Sequence, residues 1–176
     1  DPKTLTARPG STMKPLTAWI ASKSGKHAAG HSVECSGKYA PIAGLHCYAS
    51  HGKLSLAGAI EVSCNSYFFD AGRRLGWQGV RAGFEDLGFG KPTGLAPGEA
   101  SGLLPNDEWL EKNPEAGISK ERRLERLAAV VAGGHGPFEV TPLQLASAYH
   151  DLAKALSAPR GKIENEIFQG MTRVVQ

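Results

Sequence analysis

Residues 9–15 read Pro-Gly-Ser-Thr-Met-Lys-Pro, and this stretch decides how the rest of the chain is interpreted. The Pro-Gly pair marks a turn, and apolar residues then recur at helical spacing, which predicts a helix over residues 12–22. Residues three apart lie on one face of a helix, so the Ser11 hydroxyl and the Lys14 amine can come within hydrogen-bond reach. A lysine whose pKa is lowered by burial can accept the serine proton and make the serine a nucleophile. An isolated Ser-x-x-Lys also fits a helix N-cap followed by a solvated lysine.

A second candidate motif is the tripeptide Ser63-Cys64-Asn65, which separates two predicted helices at residues 54–62 and 66–75. At such a break, a hydroxyl and an amide two positions apart can both point into one cleft. The hydroxyl would pass a proton there, and the amide would bind a substrate carbonyl. The alternative is structural, because Asn65 or Ser66 can also cap the helix that follows.

The remaining sequence is mostly helical in pattern, with few strand signals. Residues 24–53 differ, because they are rich in Gly, His, Ser and Cys and predict a long irregular segment. Loops of that length are uncommon without a function or a cross-link. Asn106 or Asp107 and the pair Thr141-Pro142 are helix-start signals. Further helices are predicted at residues 80–87, from residues 105–109, at residues 120–132 where a charged run precedes an apolar one, at residues 141–156 and at residues 164–175.

The composition bounds the class of protein. The chain has 176 residues with 20 Lys+Arg against 17 Asp+Glu, a formal net charge of +3. That excess is too small for a dedicated nucleic-acid-binding protein, so no nucleic-acid partner is predicted. An apolar share of 41% is typical of a globular protein, and the length suits one domain or a large piece of one. No stretch approaches the roughly 20 apolar residues that span a bilayer, so we expect any membrane anchor or export signal to lie outside this chain.

Together, the two motifs resemble those of the penicillin-recognising serine acyltransferases, in which Ser-x-x-Lys precedes Ser-x-Asn. Residues 9–15 resemble the active-site helix start of the high-molecular-weight penicillin-binding proteins, and residues 63–69 resemble their second motif with its aromatic tail. The chain is most similar to the monofunctional (class B), elongation-type transpeptidases of the penicillin-binding protein 2 kind. Further segments match this family in order: Gly88-Phe-Gly90, Pro92-Thr-Gly94, Pro97-Gly-Glu99, Gly102-Leu-Leu-Pro105 with Trp109, Gly134-His-Gly136, and Thr141-Pro-Leu-Gln-Leu-Ala146.

This resemblance implies an α/β serine acyltransferase fold, as in penicillin-binding protein transpeptidases and β-lactamases, and a D,D-transpeptidase that cross-links peptidoglycan. Ser11 would attack the D-Ala-D-Ala carbonyl of a stem peptide, with Lys14 as the base. Ser63 would relay the proton and Asn65 would hold the substrate amide. β-Lactams would acylate Ser11, and catalysis would need no cofactor. The full protein would be anchored in the cytoplasmic membrane, act on its outer face, and work with a glycan-polymerising partner.

The sequence departs from the family pattern at the third motif, a Lys-Thr-Gly on a sheet strand, which it does not contain. Residues 170–175 resemble the helix that precedes this motif, and Lys23-Ser24-Gly25 lies in the wrong place to replace it. We therefore expect residues 1–176 to be a single truncated transpeptidase domain, mostly its helical part, with an incomplete central sheet. The resemblance also implies that the missing strand supplies half of the oxyanion hole, the pair of hydrogen-bond donors that stabilises the reacting carbonyl oxygen. Because losing one such donor costs about 10²–10³ in rate, this chain alone is expected to acylate slowly or not at all.

Two alternative functions remain open on the sequence. The first is a related hydrolase, either a D,D-carboxypeptidase or a serine β-lactamase, which would turn penicillin over instead of holding it as a stable acyl-enzyme. The second is a noncatalytic, zinc-stabilised binding module that keeps the scaffold without its chemistry. Such a module would be indifferent to a Ser11→Ala substitution.

The cysteines belong to a third group of candidate functional residues. Three cysteines cannot all pair, so either metal ligation or one disulfide with a free thiol is expected. Structural zinc would order the long segment and tether it beside the tripeptide at 63–65. The resemblance points the same way, since some elongation-type family members look similar here, with Cys, Asp and His positions that bind zinc. The alternative is a Cys35–Cys47 disulfide with Cys64 as a small buried residue. The four candidate zinc ligands are Cys35, Cys47, His51 and Cys64, with His31 and His46 as spare candidates.

Overall fold

A computed structural model describes residues 1–26, 30–158 and 160–174 of the chain. Within those residues, seven α-helices and one two-stranded sheet follow one another, and a 3₁₀ turn over Gly10–Met13 leads directly into the first helix. The elements are α1 (Lys14–Lys23), β1 (Val33–Cys35), β2 (Gly52–Leu54), α2 (Leu56–Glu61), α3 (Asn65–Asp86), α4 (Asp107–Lys112), α5 (Lys120–Ala132), α6 (Pro142–Ser157) and α7 (Lys162–Arg173). The mostly helical character predicted from the sequence is confirmed. None of the described helices combines the length and the apolar character needed to cross a membrane.

Helix α1 lies at the centre of the molecule. Residues 14–21 are all buried, and the helix contacts α3, α6 and α7. A helix that is buried on all sides belongs to a core, so its first turn is held in place by the elements around it. The sequence prediction of a helix at residues 12–22 is confirmed, and it places both Ser11 and Lys14 at the N-terminal end of this central helix.

The most extensive helix contact joins α3 to α5, and small residues allow it. Ala128 and Ala132 are fully buried on α5, and Gly72 faces them from α3. A β-carbon at Gly72 would lie 2.3 Å from the Ala128 carbonyl oxygen, a distance that real atoms do not tolerate. The absence of a side chain at Gly72 is therefore what sets the separation of the two helices.

Helix α3 contains a sharp bend at Gly76, where φ is +70° and ψ is 164°. Glycine adopts such a positive φ without the steric cost that other residues carry. The two arms of α3 correspond to the helices predicted at residues 66–75 and 80–87, which the structure joins across the bend. The bend turns the second arm so that Phe84 packs on Phe89 and Phe138, and all three rings are buried.

The helix starts predicted from capping signals are also confirmed. The Asn106 side chain accepts a hydrogen bond from the Trp109 amide at 2.8 Å and caps α4. Thr141 and Gln144 form a reciprocal capping box at the start of α6. Helix α7 begins two residues earlier than predicted and ends at Arg173, while Val175, the predicted end, lies outside the described residues.

The irregular segment at residues 24–53 contains a small sheet that the sequence analysis did not predict. Strand β1 pairs antiparallel with β2, with Val33 opposite Leu54 and Cys35 opposite Gly52. Each strand has three residues, too few for an alternating pattern to stand out, so the prediction of a wholly irregular segment was wrong here. The pairing closes a loop over the residues between the two strands and brings Cys35 next to the chain that enters α2.

Candidate active site

Ser11 lies in the 3₁₀ turn before α1 and is exposed. Two contacts hold this turn. The Gly10 amide donates to the Gly134 carbonyl at 2.9 Å, and the Tyr149 hydroxyl donates to the Thr12 carbonyl at 2.7 Å. Gly134 has a φ of +80°, and a β-carbon there would lie 1.8 Å from the Gly10 carbonyl oxygen. Only glycine fits at position 134 while the backbone of the Ser11 turn stays where it is.

Lys14 is only 2% exposed, and its ammonium group makes three hydrogen bonds. The Nζ atom donates to the Ser63 carbonyl oxygen at 2.6 Å, to Ser63 Oγ at 2.9 Å and to Asn65 Oδ1 at 2.8 Å. The alternative reading of Lys14 as a solvated first-turn residue is therefore wrong. Burial lowers the pKa of Lys14 to about 8, although the negative charge that Cys47 and Cys64 can carry acts in the opposite direction.

Ser63 connects α2 to α3 in an unusual conformation. Its φ is +52°, the one positive φ at a non-glycine residue within the described part of the chain. Holding serine in this region costs on the order of 1–3 kcal/mol, and such outliers cluster at functional sites. The turn directs both the carbonyl and the hydroxyl of Ser63 at Lys14. The Tyr48 hydroxyl fixes the preceding peptide by donating to the Val62 carbonyl at 2.5 Å.

One cavity of about 330 Å³ joins these groups, because Ser11, Lys14 and Ser63 all line it. No hydrogen bond links the Ser11 hydroxyl to Lys14 among the contacts of the described residues. Asn65 Oδ1 accepts a hydrogen bond from Lys14, which leaves the side-chain Nδ2 of Asn65 as a donor for a ligand. The arrangement can accept a proton from an alcohol, pass it through a second hydroxyl, and orient a carbonyl. Tyr149 from α6 and Met171 from α7 complete the cavity wall, and neither was singled out from the sequence.

The cysteine cluster lies directly behind Ser63 and Asn65. The ligand atoms of the four predicted residues all lie within 4.8 Å of one another. The three cysteines of the group are free thiols. The four residues come from β1, the following loop, the residue before β2, and the start of α3, in the order Cys35, Cys47, His51 and Cys64. The backbone N–H of Asn65 donates to Cys47 Sγ at 3.2 Å, so the cluster and the second motif share a contact.

The chemistry of this donor set suits zinc. His51 Nδ1 lies 3.5 Å from Cys35 Sγ and 3.6 Å from Cys47 Sγ, so its ring nitrogen faces the sulfurs. Burial raises the pKa of the Cys64 thiol to about 12, which a bound cation would reverse by stabilising the thiolate. Of the spare candidates, His31 contacts Asp70 instead at 3.2 Å, and His46 is exposed.

His135 was given no role from the sequence, but its position is unusual. Its Nε2 atom is buried and has no hydrogen-bond partner among the described residues. Burial lowers the pKa of His135, and the nearby charges of Lys14 and Arg8 lower it further. Its ring also packs edge-on against Phe69. The only sequence signal for a site here was the histidine between two glycines.

A family comparison fits this geometry. The profile of the family described as "Penicillin binding protein transpeptidase domain" matches residues 3–165. The chain therefore belongs to the penicillin-binding protein transpeptidase domain family, and the resemblance drawn from the motifs is confirmed. The fold is the mostly helical part of the α/β serine acyltransferase fold, with a small two-stranded sheet in the described residues.

Individual relatives agree with this assignment. The chain is 30% identical over 159 residues to peptidoglycan D,D-transpeptidase MrdA of Acinetobacter baumannii, which covers 87% of this chain and 22% of that protein. It is 32% identical over 148 residues to stage V sporulation protein D of Bacillus subtilis, covering 78% of this chain and 23% of that protein. The chain thus spans about a fifth of the length of these two curated relatives.

Solved structures show the same fold. The structure of Pseudomonas aeruginosa PBP2 in complex with WCK 5153 superimposes with a TM-score of 0.79 at 25% identity, covering 97% of this chain and 44% of that one. The transpeptidase domain of Burkholderia pseudomallei penicillin-binding protein 3 has a TM-score of 0.72 at 21% identity, covering 98% of this chain and 54% of that one.

Proposed function

We propose that this chain is the nucleophile-bearing part of a peptidoglycan D,D-transpeptidase that works through a serine acyl-enzyme. The observation that carries the proposal is the contact of buried Lys14 with both Ser63 and Asn65, in a cavity that also contains Ser11. Family membership and the activity for which the MrdA relative is named support the same reaction. No cofactor takes part in this chemistry.

In the proposed reaction, Ser11 Oγ attacks the carbonyl carbon between the two terminal D-Ala residues of a stem peptide. Neutral Lys14 accepts the hydroxyl proton, directly or once the substrate has drawn the two side chains together. The amide C–N bond then breaks, and Ser63 Oγ passes the proton from Lys14 to the nitrogen of the departing D-Ala. The side-chain Nδ2 of Asn65 donates to the peptide backbone of the substrate and orients it. An acceptor amine then takes the acyl group from Ser11.

A labelled penicillin tests this assignment, since a β-lactam would acylate the same hydroxyl. We expect mass spectrometry to locate the adduct on Ser11, and Ser11→Ala to abolish it. Thr12→Ala is the matched control, because Thr12 is a neighbouring exposed hydroxyl in the same turn, and it should keep the adduct. An adduct that survives Ser11→Ala would refute the proposal. Rapid release of hydrolysed penicillin would favour the D,D-carboxypeptidase or β-lactamase alternative. Because the truncated chain is expected to react slowly, the full-length protein is tested as well, and no adduct on either would favour the noncatalytic binding module.

We further propose that residues 1–176 are one incomplete transpeptidase domain and that the Lys-Thr-Gly strand lies outside this chain. The sequence contains no Lys-Thr-Gly, and the chain covers 44% of the PBP2 chain on which it superimposes. The expected consequence is acylation at least about 10²-fold slower than in full-length MrdA of Acinetobacter baumannii, since half of the oxyanion hole is supplied by that strand in this proposal. Stoichiometric acylation of the chain within minutes would contradict it.

Structural zinc is the proposed role of the cysteine cluster. Cys35, Cys47, His51 and Cys64 would hold the ion, and its contribution would be to order the segment at residues 30–54 against the start of α3. Metal analysis of protein purified without added zinc should find about one equivalent. His51→Ala should lose it, whereas His46→Ala, a nearby exposed histidine outside the cluster, should keep it. A metal-free protein with two thiols consumed by a disulfide would end this proposal.

The wider context of the full protein is proposed on the same basis. Its substrates are peptidoglycan stem peptides, and β-lactams are its covalent inhibitors. Anchorage in the cytoplasmic membrane, action on the extracytoplasmic face and a glycan-polymerising partner follow from the family resemblance. Fractionation of cells that express the full-length protein checks the location, and a full-length protein in the cytosolic fraction would contradict it.

A further inference from the structure

A second cavity, of about 480 Å³, shares no lining residue with the cavity of Ser11. Its walls come from α4 and the residues that follow it, one face of α5, the chain just after Gly134, and Arg8 before the Ser11 turn. Trp109 provides an aromatic wall. The proposed reaction gives this cavity no role, although three of its lining residues are arginines.

The cavity carries an excess of positive charge, because three arginines and one glutamate line it. Arg8, Arg123 and Arg126 line it, against the single carboxylate of Glu115, whose closest approach to Arg123 is 4.0 Å. Within the described residues, Arg8 has no hydrogen-bond or salt-bridge partner and is exposed. Three guanidinium groups at one cavity make a site for an anion, and guanidinium favours carboxylates because its planar fork matches their two oxygens.

Two of these arginines are fixed in place by neutral groups. Arg126 donates to the Ala43 carbonyl at 2.9 Å, and Arg123 donates to the carbonyls of Leu110 and Asn113. Main-chain carbonyls orient a guanidinium without cancelling its charge. The arginines are therefore held before a ligand arrives, which lowers the entropic cost of binding one.

Two lining residues of the cavity are close in sequence to the Ser11 turn or to the residue that holds it. Arg8 lies three residues before Ser11, and Gly136 lines the cavity two residues after Gly134, whose carbonyl accepts the Gly10 amide. His135 lies between Gly134 and Gly136 in the chain, and the charges of Lys14 and Arg8 both lower its pKa. A peptide whose reacting carbonyl sits at Ser11 could place a neighbouring acidic group among the arginines.

We propose that this arginine-lined cavity binds a carboxylate of the acidic stem peptide that the enzyme acts on. The identity of the peptide rests on the proposed function, whereas the preference for a carboxylate rests on the arginines themselves. Binding through fixed guanidinium groups predicts an affinity that falls with ionic strength and depends on the charge of one peptide side group.

The experiment uses the Ser11→Ala protein, so that no acyl-enzyme forms, and measures dissociation constants by calorimetry. One probe is the synthetic pentapeptide L-Ala-γ-D-Glu-L-Lys-D-Ala-D-Ala, and the other is the same peptide with the free D-Glu carboxylate amidated. Arg8→Ala removes a guanidinium that has no described structural partner, and Arg126→Gln keeps a donor for the Ala43 carbonyl while removing the charge. Arg122→Ala is the control, because Arg122 is an exposed arginine of the same helix that does not line this cavity.

We expect amidation of the peptide, Arg8→Ala and Arg126→Gln each to weaken binding by about tenfold or more, as the loss of a charged hydrogen bond does. The arginine substitutions should have almost no effect on the amidated peptide, since the paired carboxylate is already gone. Arg122→Ala should change neither affinity. Equal weakening of both peptides, an equal effect of Arg122→Ala, or no binding of the acidic peptide would each overturn the inference.

Failure of this inference is distinguishable from failure of the proposed function. The labelled-penicillin experiment reports on Ser11 alone and does not require Arg8 or Arg126. A Ser11 adduct together with a peptide affinity that ignores both arginines would overturn the cavity assignment and leave the transpeptidase chemistry standing. Charge-dependent peptide binding, without a Ser11 adduct on either this chain or the full-length protein, would support the cavity as a peptide site and refute the catalytic proposal.

Discussion

Replacing Gly134 by alanine tests the contact that holds the nucleophile turn. Gly134 has a φ of +80°, and a β-carbon there would lie 1.8 Å from the Gly10 carbonyl oxygen and 2.5 Å from the Gly10 carbonyl carbon. An L-residue in the left-handed region costs about 1–2 kcal/mol. Forcing an atom into a packed site costs about 1–3 kcal/mol more, because the obstacle here is backbone and cannot rotate away. We therefore expect Gly134→Ala to lower the free energy of unfolding by about 2–5 kcal/mol.

A matched control separates the two costs. Gly117 has a nearly identical φ of +78°, but a β-carbon there would meet nothing within 4 Å. Gly117→Ala should therefore lose only the conformational cost, about 1–2 kcal/mol. Urea denaturation followed by circular dichroism measures both variants, and the labelled-penicillin assay reports whether Ser11 is still positioned in folded Gly134→Ala. Equal destabilisation of the two variants, with unchanged acylation, would refute the reasoning.

Three further predictions concern the base, the helix packing and the second motif. Because burial lowers the pKa of Lys14 to about 8, the neutral fraction and hence the acylation rate should rise about fivefold from pH 7 to pH 8 and level off above pH 9, and a flat pH profile would contradict this. Gly72→Ala would place a β-carbon 2.3 Å from the α5 backbone and should lower the free energy of unfolding, measured by urea denaturation, by about 1–3 kcal/mol. Gly79→Ala on the same helix, where the nearest contact would be 3.6 Å away, should raise it by about 0.4–1 kcal/mol. A change of the same sign in both variants would be inconsistent with the packing. Tyr48→Phe removes the hydrogen bond to the Val62 carbonyl and should slow acylation by up to about tenfold, while the zinc content stays the same. An unchanged acylation rate would show that this bond does not position the second motif.

Local sequence determined much of the helical fold. The caps at Asn106 and Thr141 depend on side chains that reach three residues along the chain, so their patterns could be read directly. The same holds for the helix that carries Ser11 and Lys14, because helical phase alone puts residues three apart on one face. The strands β1 and β2 were missed for the opposite reason, since three residues are too short to show a period and are stabilised by each other.

The proximity of the site residues could only be decided by tertiary structure. Lys14 and Ser63 are 49 positions apart, and their contact depends on the packing of α1 against α2 and α3 and on the left-handed φ of Ser63. No local pattern encodes a distance between such segments, because packing of the whole core sets it. The sequence by itself determined which side chains could do the chemistry. The folded chain decided that Lys14 is buried among polar groups, that the four candidate zinc ligands converge, and that three arginines line one cavity, since burial and convergence exist only once distant segments have packed together.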